Sequence, residues 1–148
     1  MNDQELINRY QLPSLDNWHE ELGPFDTEDK GLLLTLIEKL TDKSNKFTTF
    51  LEEMLHPDSS ITSMQEASVF SNEEREALFA LFKRLTFFQR KSLLIQLSSS
   101  EGEKAQYLKE FLSSFQSCKN ELKQHIEKAL SVWSAKEINT SSFEGYFG

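Results

Sequence analysis

Apolar residues recur at intervals of three and four along three long stretches of the sequence. This spacing places the apolar side chains on one side of an α-helix, which a globular chain buries against neighbouring helices. It predicts an all-α fold, a helical bundle of three long antiparallel helices over about residues 27–56, 72–98 and 101–135. Shorter helices are predicted at the N-terminus and in one connection, over residues 3–10, 14–22 and 63–70.

Residue types that cap helices stand at the predicted starts. Asp26 or Thr27 can accept a hydrogen bond from the first turn of the first long helix, and Pro57 ends that helix. Ser71 and Glu74 fit the capping box that opens the second long helix. The same pattern is repeated at two further starts, at Ser100 with Glu103 and at Ser63 with Glu66.

The length of 148 residues suits one domain, and 38% of the residues are hydrophobic, as in globular proteins. We therefore expect residues 1–148 to form a single helical-bundle domain. Cys118 is the only cysteine, and its position among the apolar residues of the third long helix predicts a core residue. With no second thiol for a disulfide, we expect a reducing, cytoplasmic location. No apolar run approaches the ~20 residues that span a bilayer, so no membrane partner is expected.

Charge is distributed unevenly along the chain. Residues 1–29 hold eight acids and one base, whereas the remaining 119 residues hold 16 acids and 15 bases. The acidity therefore belongs mainly to the N-terminal segment 1–25 and the turn that follows it. Residues 77–100 contain no acid and four bases, which are Lys83, Arg84, Arg90 and Lys91. The net charge of −8 disfavours nucleic acid as a partner, whereas the basic stretch favours a partner with an acidic amphipathic surface.

The second long helix is apolar over a wide arc. Two stripes run side by side along it, one with Leu78, Leu81, Leu85, Phe88 and Ile95, the other with Phe79, Phe82, Leu93 and Leu97. Such a helix is expected to be contacted from two sides, as the central member of a bundle. Phe87 widens the arc beside Arg90 and Lys91. These three residues predict a basic apolar face that binds a partner.

Four residues are nominal metal ligands. Glu53 and His56 have the Glu-x-x-His spacing with which helical bundles hold two metal ions, and Glu121 and His125 lie on the third long helix. The pattern is incomplete, because such sites use a second Glu-x-x-His pair and two further carboxylates. We therefore expect no cofactor and interpret His56 as a residue that interacts with the last carbonyls of its helix.

The segment 139–148 is polar at first and then aromatic. Its three aromatic residues, Phe143, Tyr146 and Phe147, are too apolar for a purely solvated tail. We expect this aromatic C-terminal tail either to dock into a groove of its own bundle or to be recognised by another protein.

No catalytic motif occurs in the sequence, neither a nucleophile elbow around a serine nor a glycine-rich phosphate loop. The sequence therefore favours a non-catalytic protein–protein interaction module, an adaptor, regulator or chaperone-like helical bundle. Its expected partner-binding residues are Phe87, Arg90, Lys91, Phe143, Tyr146 and Phe147. A bundle that holds a ligand or metal, including an enzyme, is the alternative. Homo-oligomerisation is a third hypothesis, because a second copy of the chain can cover a wide apolar arc.

Overall fold

The computed structural model describes residues 2–27 and 30–134. Over these ranges the chain forms six α-helices and no strand, which confirms the predicted all-α bundle. The helices are α1 (Asp3–Tyr10), α2 (Leu15–Leu22), α3 (Leu32–Leu55), α4 (Ile61–Ala67), α5 (Asn72–Gln96) and α6 (Glu101–Ser131). None of these described helices combines the length and the apolar character that crossing a bilayer requires.

The described chain divides into two compact units. The first unit comprises the described residues of Met1–Lys46 and Arg84–Ser117, and the second those of Phe47–Lys83 and Cys118–Gly148. Each of the three long helices, α3, α5 and α6, therefore contributes one part to each unit.

The short N-terminal helices of the first unit lie where the sequence predicts them. Asn2 caps α1 by accepting a hydrogen bond from the Glu5 amide at 2.8 Å, and Ser14 caps α2 by accepting one from the Asn17 amide at 3.2 Å. Trp18 of α2 is buried, with only 1% of its surface exposed. The acidic N-terminal segment is therefore tied to the core by apolar side chains rather than left as a free extension.

The start of α3 differs from the prediction. The sequence placed it near residue 27, with Asp26 or Thr27 as the cap, but α3 begins at Leu32. Gly31 has a φ of +82°, a left-handed conformation that breaks a helix and that glycine adopts readily. The Thr27 hydroxyl instead donates to the Asp3 carboxylate at 2.6 Å. Thr27 thus links the segment between α2 and α3 to α1 and does not cap α3.

The predicted start signals are borne out to different degrees. The capping box of α5 is confirmed, since Ser71 accepts from the Glu74 amide at 3.2 Å and Glu74 accepts from the Ser71 amide at 2.9 Å. Ser100 accepts from the Glu103 amide at 3.2 Å. The Glu103 carboxylate, however, takes its hydrogen bond from the Ser98 hydroxyl rather than from the Ser100 amide.

The connecting helix begins before the residue that the sequence favoured. Ser60, not Ser63, is the cap of α4, and it accepts from the Ser63 amide at 3.2 Å. The Ser63 hydroxyl in turn donates to the Asp58 carboxylate. The hydrogen bonds from Ser60 and Ser63 lower the Asp58 pKa to about 2.

Antiparallel pairing of α5 and α6 organises the first unit. Arg84 donates to the Ser117 hydroxyl at 2.7 Å, and nearer the other end of the pair the Tyr107 hydroxyl donates to the Phe88 carbonyl. Phe88 also stacks on Phe111 with 5.1 Å between the ring centroids. Tyr107, Phe111 and the buried leucines of α3 belong to the core of the unit, and Phe88 is half-buried beside them.

Polar contacts between helices complete the first unit. Ser44 is fully buried in the middle of α3, where the sequence shows no apolar residue. Its hydroxyl accepts a hydrogen bond from the side-chain amide of Gln89 of α5 at 2.7 Å. Glu21 of the acidic segment pairs with Lys43 of α3 at 3.0 Å. A buried hydroxyl with a partner is tolerated in a core, and this is why α3 continues through its polar middle.

Arg75 holds two helix ends of the second unit. Its guanidinium donates to the carbonyl of Met54 at 3.2 Å and to the carbonyl of Ala67 at 3.1 Å. The last carbonyls of a helix lack partners within the helix. One side chain of α5 therefore donates a hydrogen bond to a carbonyl at the C-terminal end of α3 and to another at that of α4.

Only one of the two predicted stripes of α5 is buried. Leu78, Leu81 and Leu85 are almost completely buried, whereas Phe79, Leu93 and Leu97 are exposed. α3 and α6 both contact α5, as expected of a central helix, but they do not cover Phe79, Leu93 and Leu97 of the second stripe. The described neighbours of α5 cover a single arc of this helix, and the arc beside it is left to solvent.

Candidate interaction surface

Phe87 is the centre of the predicted basic apolar face, and it lies on α5 within the first unit. Its side chain is 58% exposed. One edge of the ring packs against Phe88 at a centroid distance of 5.3 Å, and the Lys91 ammonium lies 5.7 Å from the ring centroid. Phe87 therefore contacts the half-buried ring of Phe88 on one side, while more than half of its own side chain faces solvent.

The exposed apolar row continues along α5 beyond Phe87. Leu94 follows seven residues later and is 67% exposed. Leu97 follows three residues after that, in the turn just after α5, and is 85% exposed. Residues at these intervals lie on one side of a helix. Arg90 stands between Phe87 and Leu94 in the same row and is exposed.

A groove lies beside this row, between α5 and α6 of the first unit. Its volume is about 600 Å³, and it is lined by Lys91, Leu94 and Ile95 of α5, by Leu97 and Ser98 just after α5, and by Glu103, Gln106, Tyr107 and Glu110 of α6. Ile95 and Tyr107 are buried and form its apolar base. Burial raises the pKa of the Tyr107 hydroxyl, which therefore stays protonated and keeps its hydrogen bond to the Phe88 carbonyl.

The charges at the groove are partly paired. The Lys91 ammonium lies 3.9 Å from the Glu110 carboxylate, which also accepts from the Gln106 amide at 3.1 Å. Among the described residues Arg90 has no ion-pair partner, although it lines a second groove of about 340 Å³ with Glu38 and Asp42 of α3. Arg90 is therefore the cation of this face that remains available.

We use the name α5–α6 surface for six residues, which are Phe87, Arg90, Lys91, Leu94, Leu97 and Glu110. The structure brings three of the predicted site residues, Phe87, Arg90 and Lys91, together on one turn of α5. The other three, in the aromatic tail, lie outside the described residues.

Sequence reasoning missed the exposed position of Leu94. It assigned Leu93 and Leu97 to a buried stripe and left Leu94 out of both stripes. The intervals from Phe87 to Leu94 and from Leu94 to Leu97 were the available signal, since they continue the outward direction of Phe87. The sequence alone did not show that this direction faces solvent.

The nominal metal ligands do not form a site. Glu53 and His56 are exposed at the end of α3, as is Glu121 on α6. His125 is half-buried against Phe70, with 5.9 Å between the ring centroids. Within residues 2–27 and 30–134, no group of three or more histidine, cysteine or acidic side chains could hold a metal ion.

The α5–α6 surface offers apolar area, the cation Arg90, which has no ion-pair partner among the described residues, and the charges of Lys91 and Glu110, which lie 3.9 Å apart. No protein-family model, curated protein or solved structure matches the chain.

Proposed function

We propose that the chain is a non-catalytic protein–protein interaction module that acts as an adaptor, regulator or chaperone-like bundle. The observation that carries the proposal is the exposed row Phe87, Leu94 and Leu97, whose side chains are 58%, 67% and 85% exposed. A single exposed apolar side chain is ordinary, but a contiguous row beside a groove favours an interaction site. Burying this row against another protein would remove apolar area from water and so stabilise the complex.

The charges support a partner with an acidic amphipathic surface. Arg90 and Lys91 flank Phe87, and the stretch 77–100 contains no acid. Arg90 has no ion pair among the described residues, so an acidic side chain of a partner could pair with it. Such charge complementarity sets orientation and specificity more than total affinity. The carboxylates of Glu103 and Glu110 on the facing wall disfavour a phosphate backbone, in agreement with the net charge of −8.

Two further parts of the proposal rest on composition. Phe143, Tyr146 and Phe147 supply a second, aromatic segment for partner binding, and the single thiol of Cys118, which is buried, fits a reducing, cytoplasmic location. Homo-oligomerisation is the second candidate, because the exposed row could be covered by another copy. Sedimentation equilibrium of the purified chain separates these two readings.

The proposal is tested by affinity capture with a matched pair of variants. Leu94→Asp places a charge in the exposed row, whereas Leu130→Asp makes the same change at a leucine of the second unit that is 63% exposed. Tagged wild type and both variants are used to capture proteins from a native lysate, and the captured proteins are compared by quantitative mass spectrometry.

The expected result is at least one protein that is retained by wild type and by Leu130→Asp but lost by Leu94→Asp. Circular dichroism melting of all three proteins checks that neither substitution unfolds the chain. If the captured proteins are the same for all three, the α5–α6 surface is not a protein-binding site and the proposal fails.

A further inference from the structure

Resting on the proposed function, we infer that the partner contributes an amphipathic α-helix of about three turns, which lies along α5 and sets an acidic side chain against Arg90. Phe87, Arg90, Leu94 and Leu97 follow one another at intervals of three, four and three. This is the spacing of a seam between two helices. At 1.5 Å per residue the row from Phe87 to Leu97 is about 15 Å long, which sets the length of the bound helix.

The alternative modes of peptide recognition fit this surface less well. An extended peptide binds by adding a strand to the edge of a sheet, where backbone donors and acceptors are free. The surface is formed by α5, the turn that follows it and α6, and the described residues offer no strand edge there. Recognition at this surface therefore rests mainly on side chains, and a helix presents its own side chains at the matching intervals.

The charges favour a different chain, rather than a second copy of this one, as the partner that binds the α5–α6 surface. A second α5 packed on this row would bring another Arg90 and Lys91 to face the first pair, because the acids beside the row, Glu103 and Glu110, lie on α6 and residues 77–100 contain none. Lys91 is already 3.9 Å from Glu110, so the cation left to be matched is Arg90. An acid on the partner helix would match it, and like charges would penalise a basic helix.

The test is a selection from a library of displayed helices. Because isolated helices of about 12–15 residues are marginal in water, the library is presented on a helical scaffold or cross-linked along one side. Leucines are fixed at seam positions, and the flanking positions vary among acidic, basic and neutral residues. Selection is carried out on wild type, Arg90→Glu, Leu94→Asp and Lys39→Glu. Lys39 is an exposed lysine of α3 in the same unit that lines neither groove.

Wild type and Lys39→Glu should enrich acids over bases at one or more flanking positions. Arg90→Glu should reverse that preference, and the affinity of a selected acidic helix for this variant should fall by about tenfold. Leu94→Asp should retain no library member above background, since it places a charge in the apolar row.

The outcomes separate this inference from the proposed function. If a protein is captured through Leu94 but wild type enriches no acidic helix, or Arg90→Glu leaves the preference unchanged, the helix inference is wrong and the proposed function stands. If neither capture nor selection depends on Leu94, both fail. A wild-type dimer that Leu94→Asp dissociates would name a second copy as the occupant and overturn the inference.

Discussion

The Lys128 ammonium of α6 lies 2.5 Å from the Glu74 carboxylate in the first turn of α5, inside the second unit. Glu74 also accepts a hydrogen bond from the Ser71 amide at 2.9 Å. The contact with Lys128, followed by the bond from Ser71, lowers the pKa of Glu74 from 4.5 to about 2. One carboxylate therefore completes the cap of α5 and joins that cap to α6.

Replacing Glu74 with Gln should reduce the loss of stability in acid. The pKa of Glu74 is lower in the folded chain than in the unfolded one, so its contribution is complete above about pH 4.5 and is lost as the pH falls towards about 2. Urea midpoints should therefore differ between wild type and Glu74→Gln at about pH 6 and nearly converge at about pH 2. Glu76 is an exposed acid on the same helix. Glu76→Gln is the control, and its urea midpoint should differ little from that of wild type at both pH values. A Glu74→Gln difference that is equally large at both pH values contradicts the prediction.

Arg75→Met should destabilise the chain by about 1–3 kcal/mol, because the carbonyls of Met54 and Ala67 lose a charged donor. Arg75→Lys should recover only part of this loss, since an ammonium lacks the planar fork that reaches two carbonyls at once. Chemical unfolding of the three proteins measures both differences. Full stability in Arg75→Lys would show that charge alone, without the fork, is sufficient.

His125 should titrate below 6.5. Loss of solvent lowers its pKa, the neighbouring Lys128 ammonium lowers it further, and the carboxylates of Glu121 and Glu74 act in the opposite direction. Because the folded pKa is the lower one, the contribution of His125 to stability is complete above about 6.5 and is lost as the pH falls below that value. Proton NMR titration gives the midpoint, with the signal identified from His125→Gln. Phe70→Leu, which removes the adjacent ring, should move the midpoint towards 6.5, and a midpoint above 6.5 in wild type would refute the assignment.

Tyr107→Phe should cost about 0.5–1.5 kcal/mol, the usual contribution of one hydrogen bond. The hydroxyl that is removed donates to the Phe88 carbonyl, while the ring and its packing on Phe111 remain. Tyr10→Phe is the matched control, because the Tyr10 hydroxyl makes no hydrogen bond within the described residues. Thermal melts should show a loss for the Tyr107 variant and little change for the Tyr10 variant. Equal effects of the two substitutions would mean that the bond to Phe88 is not responsible.

Truncation to alanine should destabilise the chain strongly at a buried leucine of α5 and hardly at all at an exposed leucine just after this helix. Leu85 is fully buried and Leu97 is 85% exposed, both in the first unit. Leu85→Ala should cost about 2–5 kcal/mol through lost burial and the cavity left behind, whereas Leu97→Ala should stay within about 0.5 kcal/mol. Urea unfolding measures both. A large loss in Leu97→Ala would show that its side chain is covered in solution.

Much of the architecture was predictable from the sequence because helix formation is governed by local rules. The spacing of Leu33, Leu36 and Leu40 fixed the buried side of α3, and Ser71 with Glu74 marked the start of α5. The start of α3 was not predictable in the same way, because the left-handed turn at Gly31 competes with the capping residues Asp26 and Thr27.

The sequence by itself determined that the chain is helical and which of its residues are apolar. Only the tertiary structure decided which apolar side of α5 is buried, because Leu85 and Leu97 belong to similar stripes and differ only in whether a neighbouring helix covers them. It also decided that Ser44 belongs in the core, since the donor that satisfies its hydroxyl, Gln89, lies 45 residues away in the chain. Burial and pairing depend on contacts between distant segments, and local periodicity carries no information about which of those contacts form.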